Sequence, residues 1–453
     1  MRLLSPPSRR LLTGILVGLT FLLLPAWSQA GQVEFSEYDL PNGLHVILAP
    51  EHSAPVIASY ALYHVGSKNE RPDRTGFAHF FEHLMFEGTD NIPRGGIAKL
   101  VTSAGGNLNA STSYDRTDYQ INLPANQLPL ALWIESERML HVKIEQVGVD
   151  TQRQVVKEER RLRYDNQPYG SLLEEISKLV FAGTSYAWVP IGSVQYIDQA
   201  TLAEFRSFYK TYYLPNNATL AVAGDFEPAT AQKLISDYFG PIPRGPEPPR
   251  PDVKITPQTE PQTADVLKQN TPLPATLHAW QAPRLTAADA YPVEMLTNIL
   301  AGGRSSRLYL RLVDQEQAAV EARAFPYLLE DAGMIGIFAI GNRGVPLGRL
   351  DQLIDQELAA VKKDGVTDFE FQKARKQEES DFAHAHGTML SLSESLAQAH
   401  LFHGDTNFVN TELDGYLKVT KDDLKRVANQ YFTDAGLNLL HYPMPPAAPE
   451  AHP

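Results

Sequence analysis

The chain contains no cysteine among its 453 residues. Disulfides and thiolate metal sites are therefore excluded, and any transition-metal site must be assembled from histidine and carboxylate. Basic residues are in the minority: 40 Lys and Arg against 53 Asp and Glu leave a formal net charge of −13. A chain of that sign is not a general binder of nucleic acid or of anionic membrane. Long apolar runs are confined to one place. Leu11 to Trp27 is almost unbroken, follows Arg2, Arg9 and Arg10, and gives way to Ser28, Gln29 and Ala30. That order reads as an export signal over 1–30, cleaved after Ala30, or as a membrane anchor if it is kept. The short run and its Gly14, Gly18 and Pro25 favour cleavage, so no stable membrane span is expected in the mature chain. The expected destination is the periplasm.

The whole chain has the composition of a folded protein, 43% hydrophobic and 21% charged, at a length that suits two domains of roughly 200 residues. Phe35 to Leu48 alternates like strand–turn–strand about Pro41, Asn42 and Gly43, and Val56 to Val65 reads as a further strand. A strand pair is expected around Asn107 to Leu123, after the Gly105-Gly106 turn. Helical periodicity marks Thr75 to Phe86, Leu128 to Leu140, Asp150 to Tyr164 and Leu202 to Tyr212. Prolines crowd the polar stretch from Pro241 to Thr263, which can be neither helix nor central strand and reads as a linker. Beyond it a strand at Thr276 to Trp280 precedes helical stretches at Asp289 to Leu300, Ser306 to Ala319, Leu350 to Lys363, Asp368 to His384 and Thr420 to Tyr431. The tail over 443–453 is rich in Pro and Ala and reads as disordered. The expected class is α+β: two related α/β-roll domains, 31–240 and 264–442, each a mixed sheet packed with helices. Identity between the halves is too faint to establish a duplication from residues alone.

The chemistry concentrates at His79-Phe80-Phe81-Glu82-His83. At about 100° per residue, His79 and His83 lie about 40° apart on a helix, and Glu82 falls within the same arc of roughly 100°. Two imidazoles one turn apart can share a Zn²⁺, with the carboxylate beside them taking a proton from water. The expected third ligand is a carboxylate. On the segment from Asp150, read as the N-cap, to Tyr164, the apolar stripe Val155, Val156, Leu162 is centred on Glu159, while Glu158 lies at its edge. A carboxylate on a buried face is costly unless a cation meets it, which favours Glu159. Two features carry less. Gly302-Gly303 lacks the Lys-Ser/Thr of a phosphate-binding loop, and in the group His384, His386, His400 and His403 helical spacing does not bring His384 and His386 together.

The runs VGSKNE (65–70), TGFAHFFEHLMFEGT (75–89) and GGNLNA (105–110) closely resemble the pitrilysin (insulinase) family of inverzincin peptidases. So do Asp115 with Thr117, Arg160-Arg161, NQPYG (166–170), and the stretch from Tyr213 through Gly224-Asp225-Phe226. The resemblance implies one Zn²⁺ per chain on His79, His83 and Glu159, with Glu82 as general base in peptide hydrolysis. It implies that Asn109 and Ala110 pair with the backbone of an extended peptide substrate. It implies a second, inactive-type domain that closes with the first around a chamber suited to short or unfolded peptides. Two departures stand out. Many relatives carry a supporting glutamate seven residues before the third ligand, where this chain has Gln152. The positions matching the family's carbonyl-binding Arg and Tyr are Val313 and Val320, which cannot donate a side-chain hydrogen bond. The family elsewhere divides such functions between two chains, so the expected partner is a related subunit lacking H-x-x-E-H; a homodimer or a chain acting alone is the alternative. The competing reading of function is a non-catalytic assembly protein on the same fold.

Overall fold

The hairpin expected around Asn42-Gly43 forms from β1 (Ser36–Asp39) and β2 (His45–Pro50). In this computed structural model, which describes residues 32–445, both strands belong to a mixed sheet. Its other members are β3 (Val56–Tyr63), β4 (Asn107–Thr112), β5 (Thr117–Pro124) and β6 (Ala218–Gly224), in the order β1-β2-β6-β3-β5-β4. β2 and β6 run parallel; the other pairs are antiparallel. The second sheet contains β7 (Gln262–Asp265), β8 (Ala275–Ala282), β9 (Ala319–Leu328), β10 (Gly333–Gly341) and β11 (Asn438–Tyr442), ordered β7-β11-β8-β10-β9. Its one parallel pair, β7 with β11, stands where β2 and β6 stand, and three antiparallel pairings follow in the same succession. The duplication that residue identity hides is thus visible in the topology. The export-signal reading of 1–30 and the last eight residues of the tail lie outside the described residues. Among the described residues, no helix is long and apolar enough to cross a membrane.

Five helices bear on the site: α1 (Phe77–Leu84), α2 (Gln146–Arg160), α3 (Ala290–Ala301), α4 (Asp368–His384) and α5 (Met389–Gln398). Four sequence expectations need correction. α2 starts four residues before Asp150, whose carboxylate accepts from Gln146 and Arg153 on the helix surface instead of capping it. Its buried face is also different: Val155 and Leu162 are 44% and 50% exposed, while Val149 and Val156 are fully buried. The face turned inward therefore runs Val149, Gln152, Val156, Glu159, and its two polar members hide it from a hydrophobic-periodicity reading. The stretch Ser306 to Ala319 is a single turn of helix (Arg307–Tyr309), a π-turn (Leu310–Gln315) and the start of β9. The proline-rich stretch forms no helix or strand over 240–261, and Gln262 and Thr263 already belong to β7.

The halves interlock. Strand alternation sends Ala61 and Tyr63 of β3 into one apolar layer and Tyr60 and Leu62 into another on the opposite face. That second layer is closed by Leu392, Leu396 and Ala397 of α5, a helix from the C-terminal half, packed over Ala49, Ala221 and Ala223. The alanines let the helix approach closely, and each buried leucine contributes about 1.5–3 kcal/mol. A second tie is polar. The β9–β10 turn brings Glu330 and Asp331 to Lys68, whose ammonium is 3.0 Å from Asp115 Oδ1 and 3.1 Å from Asp331 Oδ2 and also bonds Glu330. His64 Nε2 lies 2.8 Å from Glu330 Oε2.

Burial alone would raise the Glu330 carboxyl, but the His64 and Lys68 donors outweigh it and bring it from 4.5 down to about 2. A depressed carboxyl stabilises the fold fully above its unfolded value of 4.5 and loses that contribution as pH falls towards 2. Glu330→Gln is therefore expected to cost roughly 3 kcal/mol at neutral pH, at about 1.4 kcal/mol per unit. Denaturant titrations should show that difference shrinking between pH 4.5 and pH 2.

Candidate metal centre

α1 is held at its N-terminus by a buried carboxylate rather than by a short capping side chain. Glu70 accepts from Gly76 N at 2.9 Å and Ala78 N at 2.7 Å, two of the amides a helix start leaves without partners. Trp188 Nε1 donates to the same carboxylate at 3.1 Å. Gly76 enters the helix with φ 93°, and Gly192 crosses it so closely that a Cβ there would sit 2.3 Å from Gly76 N. Only glycine meets both requirements. α2 comes from elsewhere in the chain and is fixed to the same crossing by Arg160, which donates to Gly192 O at 2.5 Å and to Glu174 Oε2 at 2.9 Å. Just past Arg160 the helix loosens into a π-turn (Arg161–Asp165).

The crossing of α1 and α2 brings three donor atoms together. His79 Nε2 and His83 Nε2 are 3.3 Å apart, and Glu159 Oε2 lies 3.6 Å from the first and 3.3 Å from the second. Tetrahedral zinc with bonds of about 2.0–2.1 Å spaces its donors about 3.3–3.4 Å apart, so the triangle has the size of one tetrahedral face. Burial, then the neighbouring His83, pushes His79 down to about 4, which leaves a neutral imidazole at neutral pH. Burial also disfavours charge on His83, but Glu159 and Glu82 outweigh it and raise its pKa. Glu159 is held low by His83 against the opposing effect of burial, helped by His79 and Arg163. An anionic donor beside two imidazoles is a set that suits a divalent transition metal.

Glu82 projects from the same face of α1 and is nearly buried. Thr112 Oγ1 donates to its Oε2 at 2.6 Å, which leaves Oε1 as the free proton acceptor. Burial raises this carboxyl, opposed by Thr112 and His83. Thr112 ends β4, the terminal strand of the first sheet, which pairs only with β5. Asn109 and Ala110 lie on that strand, opposite Gln120 and Tyr119. An added extended segment pairing with β4 would thus run towards the Glu82 carboxylate. Nothing in the sequence marked Thr112, because its role depends on the end of a strand meeting the side of a helix.

Two other groups of potential ligands occur among the described residues. Asp115, Glu330 and Asp331 already surround the Lys68 ammonium. Glu37, His45 and His400 meet near the surface, but the two imidazoles stack face to face at 3.5 Å, so their lone pairs run parallel and do not converge. The later histidines do not assemble: His384 bonds Ser380 O, and His403 stacks on Phe408.

Residues 46–187 match the model of the insulinase family (peptidase family M16), and residues 199–378 match that of the M16 inactive domain. The zinc protease PqqE of Helicobacter pylori is 32% identical over 400 residues, 87% of this chain and 89% of that protein. The chain belongs to the insulinase family. A crystal structure of a protease from Helicobacter pylori superposes with a TM-score of 0.86 at 30% identity, covering 90% of this chain and 99% of that one. The periplasmic protease PqqL of Escherichia coli shares the fold, with a TM-score of 0.76 at 21% identity; the match covers 90% of this chain but 47% of PqqL. As a member of the insulinase family the chain is a metallopeptidase, and relatives from Helicobacter pylori, Mycobacterium leprae and Bacillus subtilis are all named zinc proteases.

Against that family membership the departures gain meaning. Val313 packs on the apolar core of the C-terminal half, and Val320 is 45% exposed on β9, so neither position presents a donor. Arg311, close in sequence, spends its guanidinium on Glu316 at 3.0 Å. Gln152 does face the site, with Oε1 3.2 Å from His83 Nδ1.

The assignment of Glu159 over Glu158 is testable without activity. Glu159→Gln is expected to weaken zinc retention by more than the about 10–100-fold typical of outer-shell partners, read by chelator competition. Glu158→Gln, at a carboxylate exposed and paired with Arg161, should leave it unchanged.

Proposed function

We propose that this chain is an exported, periplasmic zinc endopeptidase that cuts extended, unfolded peptides, with one Zn²⁺ on His79, His83 and Glu159. The observation that carries the reading is the 3.3–3.6 Å triangle of Nε2, Nε2 and Oε2 atoms, with the Glu82 carboxylate pinned beside it. Zinc held there supplies a Lewis acid that acidifies water and polarises the scissile carbonyl. β4 takes the peptide as an added strand through the backbone at Asn109 and Ala110, which presents the scissile bond next to Glu82. Glu82 accepts a water proton on Oε1 as the water oxygen attacks the carbonyl carbon, then returns it to the amine nitrogen as the C–N bond breaks. Thr112 keeps the carboxylate from rotating away. Replacing Glu82 by Gln should leave bound zinc unchanged and lower kcat by at least about 10²–10⁴-fold. Full turnover in that variant would overturn the assignment.

The chain is further proposed to be the metal-bearing subunit of a heterodimer whose partner supplies the carbonyl-binding Arg and Tyr. Val313 and Val320 at the corresponding positions support this, as does a fold that matches 47% of PqqL, named a periplasmic protease. Purified, zinc-loaded chain alone is expected to cleave unstructured peptides poorly and to gain activity with a related chain that lacks H-x-x-E-H. Robust cleavage by the chain alone would rule the obligatory partner out.

A further inference from the structure

His83 is tied through Gln152 to a charge that lies outside the site. Gln152 Nε2 donates to Glu87 Oε1 at 2.5 Å, and Glu87 is in turn bonded by Nε and Nη2 of Arg94. Glu87 is buried, at the end of the segment that follows α1, and reaches α2 because Gly148 leaves room for it. A Cβ on Gly148 would lie 3.2 Å from Glu87 Oε2. The chain of donors has only one consistent direction. A carboxylate paired with Arg94 accepts and does not donate, so the Gln152 amide must turn its NH₂ towards Glu87. Its carbonyl oxygen then faces His83, whose Nδ1 must carry the hydrogen. In the neutral ring it is then Nε2 that carries the lone pair, on the side of Glu159 Oε2 and His79 Nε2. His79 has no such support, since its Nδ1 is buried without a partner.

We propose that Glu87, held by Arg94, is the positioning carboxylate of the metal centre, acting on His83 through Gln152. The negative charge that many family members carry at the position of Gln152 has moved one residue outward, and a neutral amide relays its directional effect. The relay fixes the His83 tautomer and raises the basicity of its Nε2. It does so more weakly than a carboxylate in direct contact, because a charge-assisted hydrogen bond is roughly twice as strong as a neutral one.

The inference rests on the proposed reading of His83 as a ligand, and the test separates the two. Zinc affinity is measured by chelator competition on the whole chain, alongside the melting temperature of the zinc-free form. Absence of tight zinc binding in the wild type, or an unchanged affinity in His83→Ala, removes the ligand reading itself. With that reading intact, Gln152→Leu is expected to weaken zinc about 10–100-fold and Glu87→Gln roughly tenfold. The double variant Glu87→Gln/Gln152→Glu, which returns the carboxylate to contact with His83, should recover most of the loss. Glu87→Gln binding zinc as well as the wild type overturns the proposal, as does a double variant no better than Glu87→Gln alone. A fall in melting temperature without a change in zinc affinity assigns Glu87 to the fold only, and equally overturns it.

Discussion

Three lone pairs aimed at one point from two helices are the constraint on which this structure turns. His79 Nε2, His83 Nε2 and Glu159 Oε2 lie 3.3–3.6 Å from one another in a largely buried space. Such an arrangement persists only if the surrounding structure over-determines it. The means are all local to the crossing. Glu70 closes the start of α1 with a buried carboxyl group rather than a serine, accepting from two of the amides that a helix start leaves without partners. The Gly76–Gly192 contact brings backbone to within reach of backbone, and Arg160 ties α2 to the same loop. Rigidity here is a condition for metal affinity, since a preformed donor triangle needs little ordering when the ion arrives.

The two halves have inherited one scaffold and put it to different uses. α3 lies against α4 in the second half as α1 lies against α2 in the first. Where the first pair offers two imidazoles and a carboxylate, the second offers Asn298 and Glu378. Burial raises Glu378 to about 7, the behaviour of a carboxyl that meets no cation. That half matches the inactive-domain model, and its chemistry agrees. It also ties the halves together: α5 seals the outer face of the first sheet, and the β9–β10 turn inserts Glu330 and Asp331 beside Lys68. Lys68 sits two residues before Glu70, so the polar tie between the halves and the cap of α1 share one short segment.

What was legible in the sequence follows period and spacing. Hairpins announced themselves through alternation and glycine turns, and the H-x-x-E-H spacing on a helix holds whatever surrounds it. The reading of α2 chose the carboxylate that the fold brings beside His79 and His83, but on a premise the structure does not meet. Its premise was that buried faces are apolar, and here Val155 and Leu162 are the exposed residues while Gln152 and Glu159 face inward. The proposed metal centre inverts the usual rule, because polar groups that share one ion must be buried to converge. Met389 to Gln398 carried no mark of its destination, since the surface it covers belongs to strands more than 150 residues earlier. Thr112 and Glu87 went unnoticed for the same reason: each acquires meaning only through a neighbour brought by folding.

Gln152 shows how much a single substitution can be misjudged without coordinates. From the sequence it is a lost charge beside a metal site, and so a weakness. In the structure it is an oriented dipole with a carboxylate behind it. The orientation does not depend on Gln152 itself, which could flip at little cost in isolation, but on Arg94 fixing Glu87 as an acceptor. The information that sets the tautomer of His83 therefore enters from a guanidinium near the surface and passes inward through two side chains. An amide in that relay has one property a carboxylate lacks: it takes up no proton at any physiological pH. The amide itself therefore changes no charge with pH, and its direction is kept by the pairing of Glu87 with Arg94. A neutral amide at this inner position also avoids repulsion with Glu159, which lies on the same face of α2, while the pairing of Glu87 with Arg94 keeps its direction.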